Sequence, residues 1–87
     1  MRAFDKLPAT QRGAFIRARR TLVAGLREKP PTYHPSLRVK RHQASGPAVY
    51  ELSFGDGGRA LFRFGAEVRE GMAHVEWLAI GGHEIVE

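Results

Sequence analysis

Cysteine is absent from the 87 residues, which excludes two ways a small protein can be held together, a disulfide framework and a thiolate metal site. A chain without thiols suits a reducing compartment. Also missing is any apolar run long enough to span a bilayer, and the opening "MRAFDKLPATQRG" lacks the apolar block of a signal peptide. The expectation is a soluble, cytoplasmic protein with no membrane partner. His34, His42, His74 and His83 fall at none of the close spacings of a helical or turn-borne ligand pair, so no metal is expected, nor any small-molecule cofactor. At this length one domain is expected over residues 1–87. It buries only about 60–65% of the unfolded chain's surface, which makes for a modest core and marginal stability.

Acidic residues are scarce in one half of the chain. Residues 1–42 hold eleven Lys/Arg against two Asp/Glu, a balance of +9, whereas residues 43–87 hold three against seven, a balance of −4. A basic half is drawn to polyanions through phosphate electrostatics and counterion release. A solvated helix face that keeps the protein in solution accounts for the same charges without any partner.

From Pro8 to about Glu28 the sequence reads as one amphipathic helix. Phe15, Leu22 and Leu26 follow the 3.6-residue stripe, flanked by Ala18, Ile16 and Val23, and Arg12, Arg17, Arg19, Arg20 and Arg27 fill the remainder. Pro8 fits the first turn, where a missing N–H loses nothing. Lys29-Pro30-Pro31 ends the helix, because proline disfavours helical geometry in the residue before it. "PPTYHPS" follows as an extended connector, and residues 1–7 have room for one turn of an earlier helix.

Beyond Pro35 the pattern changes to period two. Leu37–His42 alternates and is expected to be a strand, "QASGP" is a turn signal, and a last strand is expected at about Ala73–Ile80, broken by Gly81-Gly82. The stretch "YELSFGDGGRALFRF", residues 50–64, reads as a hairpin. Its apolar members Tyr50, Leu52, Phe54, Ala60, Phe62 and Phe64 share one side, which leaves Glu51, Ser53, Arg59 and Arg63 on the other. Keeping Phe54 and Ala60 on one side selects a three-residue loop, taken as Asp56-Gly57-Gly58, and places Glu51 opposite Arg63. The expected fold class is α+β, an N-terminal helix or helical hairpin packed on one face of a four-stranded antiparallel sheet.

The uncovered sheet face then carries Glu51, Arg59 and Arg63, with His83 just past the last strand. A carboxylate, an imidazole and one or two guanidiniums suffice for RNA cleavage without a metal. A base deprotonates the ribose 2′-OH, that oxygen attacks the adjacent phosphorus, an acid protonates the leaving 5′-oxygen, and arginine stabilises the charge that develops. Each residue also has a plainer role. Glu51 and Arg63 suffice as a cross-strand ion pair, Arg59 as a solvent-facing turn residue and His83 as a structural histidine. Trp77, with Val75 and Leu78, reads as packing.

The ordered set "KLPATQRGAFIRARRTLVAGLREKP…HPSLRVKR…YELSFGDGGRALFRF…VEWLAIGGHEIVE" resembles the RelE/ParE superfamily of type II toxin–antitoxin toxins, over nearly the whole chain from Lys6 to Glu87. The shared elements are Leu-Pro opening a helix, "HPSLRVKR", aromatic-Glu-Leu, Gly-Arg-Ala-x-Phe and Ile-Gly-x-His. The resemblance implies a RelE-like fold. In the RelE-type branch it implies a ribosome-dependent endoribonuclease that cuts mRNA in the decoding site and is neutralised by a cognate antitoxin protein. Carried over residue by residue, Arg59 matches the transition-state arginine after the hairpin turn, His83 the general acid and Glu51 the general base. Lys40 and Arg41 match by location as backbone-phosphate contacts. In this reading Arg63 is a further RNA contact and the basic helix, through Arg19 and Arg20, docks on ribosomal RNA. Two alternatives stand beside it: a ParE-like inhibitor of DNA gyrase that needs no catalytic residue, and an inactive domain that keeps only antitoxin or RNA binding.

Overall fold

The computed structural model describes residues 2–42, 46, 48–69, 72–82 and 85. A single turn, α1 (Arg2–Asp5), leads through an extended Pro8 into α2 (Ala9–Leu26). The Arg12 guanidinium donates to the Leu7 carbonyl at 2.8 Å, fixing the approach to α2. At the far end the chain turns back, and the Thr32 N–H donates to the Gly25 carbonyl at 2.9 Å, supplying a partner to one of the carbonyls a helix end leaves open. Of the expected stripe Phe15 and Leu22 are buried against the sheet and Leu26 packs beside them, joined by the flanking Ala18 and by Ala14, which the periodicity did not single out.

Four antiparallel strands follow in the spatial order β1-β2-β3-β4: β1 (Lys40–Arg41), β2 (Tyr50–Phe54), β3 (Gly58–Arg69) and β4 (Met72–Gly81). Their inner face gives Leu52, Phe54, Ala60, Phe62 and Ile80 to the core beneath α2. Phe15 sits at the centre, its ring 5.3 Å from Phe54 and 4.9 Å from Trp77 in edge-on contacts. The architecture is the expected α+β fold, a helix packed on one face of a four-stranded antiparallel sheet.

Three local expectations are corrected. The β2–β3 loop has three residues, but they are Gly55-Asp56-Gly57, with Phe54 opposite Gly58 and Glu51 opposite Leu61 in place of Arg63. The cause lies in the packing. Gly55 holds φ +53 where a Cβ would come within 2.6 Å of the Gln11 side-chain oxygen and 2.8 Å of the Ala14 Cβ, so the loop seats tightly on α2. Gly58 is drawn into the strand because the Phe54 ring occupies the space that a side chain there would need. Gln11 Nε2 completes the seat by donating to the Asp56 carbonyl at 2.9 Å.

The expected strand at Leu37–His42 shrinks to the two residues of β1. Pro35–Leu37 forms a 3₁₀ turn capped by His34, whose Nδ1 accepts from the Ser36 N–H at 3.1 Å. Leu37 is thereby buried, and Arg38 closes the turn in the left-handed region, φ 48 and ψ 46. Finally, Leu61 faces Ala79 while Phe62 faces Trp77, so Leu78 is an extra residue in β4. Trp77 and Val75 pack against the core as expected, but the bulge leaves Leu78 44% exposed.

Candidate functional site

Alternation along the strands sends Lys40, Glu51, Ser53, Arg59, Leu61, Arg63 and Glu76 to the face away from α2. Glu51 is the one buried charged residue among those described, with 5% exposure. Its register partner on β1 is Lys40, whose Nζ lies 3.8 Å from Glu51 Oε1 while the lysine side chain itself is 70% exposed. Arg59, half-buried, stands directly across from Ser53 on one side and Gly81 on the other, and its Nη1 donates to the Gly58 carbonyl at 2.9 Å. Glu51 and Arg59 are therefore diagonal neighbours on one face, roughly 7–8 Å apart along the sheet.

His83 lies outside the described residues. It follows Gly81, the residue opposite Arg59, by two positions.

The remaining candidates do not gather at this point. Arg63 is four residues along β3 from Arg59, roughly 13 Å at strand rise, and its Nε donates to Glu76 Oε2 at 2.7 Å. That hydrogen bond, with the guanidinium charge behind it, holds the Glu76 carboxyl below the ordinary carboxylate range. Arg41 pairs with Tyr50 and so alternates to the side opposite Lys40. Arg19 and Arg20 sit on the solvent side of α2, flanking a shallow groove of about 350 Å³ with Val23, Ala24 and Arg27. Helix and sheet both stand between them and Glu51, so the basic helix and the outer face form two separate surfaces.

At the hairpin end a cleft of about 330 Å³ opens between the 3₁₀ turn and the β2–β3 loop, lined by Ser36, Arg38, Ser53, Arg59 and the loop glycines. The Ser36 hydroxyl is 2.7 Å from His34 Nδ1. Because that nitrogen also accepts from the Ser36 N–H, it carries no proton and the hydroxyl is the donor. A second groove of about 240 Å³ shares Ser36, Ser53 and Gly55 with this cleft and carries it on to Arg17 of α2. The alternation of Leu37 and Val39 with Arg38 and Lys40 hid this arrangement. The signal that points to it is Pro35 directly after His34, a proline in the first position of a turn with a capping side chain before it.

No family model, curated protein or solved structure matches the chain, so the likeness to RelE/ParE toxins rests on the chain's own residues.

Proposed function

We propose that the protein is a RelE-like toxin, an endoribonuclease that cuts mRNA on the ribosome at the outer face of its sheet and is held in check by a cognate antitoxin. The observation that carries this reading is the grouping of Glu51 and Arg59 as diagonal neighbours on the face of the sheet away from α2, at the point where β4 ends two residues before His83. Glu51 takes the proton of the 2′-OH and O2′ attacks phosphorus. His83 gives its proton to the departing 5′-oxygen, and Arg59 bears the charge of the transition state. The products are a 2′,3′-cyclic phosphate and a 5′-hydroxyl. The 2′-OH requirement restricts the chemistry to RNA.

Releasing the Glu51 carboxylate from Lys40, whose side chain is 70% exposed, costs no more than a surface ion pair, below about 1 kcal/mol. Arg19, Arg20 and Arg27, on the opposite surface, serve docking on ribosomal RNA and not the chemical step.

Expression without an antitoxin is expected to arrest bacterial growth with loss of intact mRNA, and Arg59→Ala or His83→Ala to restore growth. If both variants arrest growth and cut mRNA as the parent does, these roles are wrong. Growth arrest with intact mRNA and inhibited gyrase supercoiling would move the protein to the ParE-like class.

A further inference from the structure

Arg38 occupies a backbone conformation that costs an L-residue with a long side chain and that glycine or asparagine adopts more easily. Strain of this kind persists where the surroundings hold it in place, and it is a pointer to function when the residue that bears it aims at a site. Arg38 does so. It lines the hairpin-end cleft together with Arg59, Ser36 and Ser53. Two guanidiniums and the Ser53 hydroxyl in one concavity make a set of donors matched to a tetrahedral oxyanion, while the Ser36 hydroxyl proton is held by His34. The cleft's volume of about 330 Å³ exceeds what one such group needs, leaving room for what is attached to it.

We infer that this cleft is a phosphate-binding site, with Arg38 and Arg59 clamping one phosphate group and the Ser53 hydroxyl completing its hydrogen bonds. His34 is a positioning residue: by capping the 3₁₀ turn it fixes both Ser36 and the backbone that presents Arg38. The groove that continues from the cleft to Arg17 provides the track for the next phosphate of a single-stranded polynucleotide. That extension rests on the RNA-cleavage reading above, whereas the phosphate clamp does not.

The test is an NMR titration of arginine Nε–Hε signals in the full chain, first with inorganic phosphate and then with a short single-stranded oligoribonucleotide. Inorganic phosphate is expected to shift the Arg38 and Arg59 signals along one shared saturation curve. Arg38→Gly removes the guanidinium and eases the backbone, so it is expected to melt at or above the parent's temperature while binding phosphate about tenfold more weakly or worse. Arg38→Asn, which also tolerates the left-handed region, gives the same result by a second route. Arg17→Gln is expected to weaken the oligonucleotide alone and leave inorganic phosphate binding unchanged.

Arg38 and Arg59 signals that stay still under phosphate, or folded Arg38 variants that bind it like the parent, overturn the clamp. An oligonucleotide affinity indifferent to Arg17 overturns the track. Phosphate binding in a protein that cuts no mRNA would sink the nuclease and keep the clamp, and mRNA cutting without phosphate binding would do the reverse.

Discussion

Replacing Glu51 by glutamine separates what a buried carboxylate does for the fold from what it does for chemistry. Glu51 is 5% exposed, and its ion partner Lys40 stands 3.8 Å away with its own side chain 70% in solvent. At that distance, with a partner so hydrated, the attraction is worth about 1 kcal/mol. Desolvating a carboxylate costs several kcal/mol, and burying an amide of the same shape costs about 1–3 kcal/mol. Glu51→Gln is therefore expected to leave stability unchanged or to raise it by up to about 2 kcal/mol, read as an equal or higher urea midpoint at unchanged slope. Cleavage of mRNA by the same variant is expected to fall about 10²–10⁴-fold, the usual share of a general base. A variant that loses more than about 1 kcal/mol while cutting RNA at the parent's rate would refute the reasoning, because the carboxylate would then be a structural group.

Phe15→Ala removes the ring at the meeting point of Phe54 and Trp77. The expected loss of about 3–5 kcal/mol is a large share of the roughly 5–10 kcal/mol available to a domain this small, so urea unfolding should lose its cooperativity at 37 °C. A loss under about 1 kcal/mol would contradict the placement of the core. Arg63→Gln should return the Glu76 carboxyl, seen by NMR titration, toward its ordinary value of 4.5. Because the folded value is depressed, the pair contributes fully above that pH, and its contribution fades as pH falls through the folded value. Parent and variant should therefore differ at pH 7 and converge in acid; a Glu76 titration unmoved by the substitution would remove Arg63 as the cause.

The helix and the sheet order were legible because they rest on local signals. Prolines at 8 and 30 punctuate an 18-residue α2, and its apolar stripe has the helical period. Alternation in residues 50–64 assigns each side chain to a face, so Glu51 and Arg59 were placed together on the side away from the helix. Register was not legible. Sliding the hairpin by two residues keeps every side chain on its face, and the choice between the two settings is made by contacts between Gly55 and Gln11 or Ala14 and between Gly58 and the Phe54 ring. These contacts join residues distant in sequence or fit a ring over a glycine, and neither leaves a periodic trace.

The 3₁₀ turn at Pro35–Leu37 was masked by alternation that is too short to specify a strand. A left-handed Arg38 has no local signature at all, because nothing about arginine favours that conformation. For the same reason the hairpin-end cleft, which needs the turn and the loop in place together, emerges only from the folded chain.

The most direct test of the nuclease is a purified translating-ribosome reaction in which cut sites are mapped by primer extension and the new ends are identified chemically. The expected result is cleavage within the decoding site that leaves 2′,3′-cyclic phosphate and 5′-hydroxyl ends, and that drops at least about 100-fold in Arg59→Ala. Messenger RNA left intact by the folded parent protein, or cut equally well by Arg59→Ala, would contradict it.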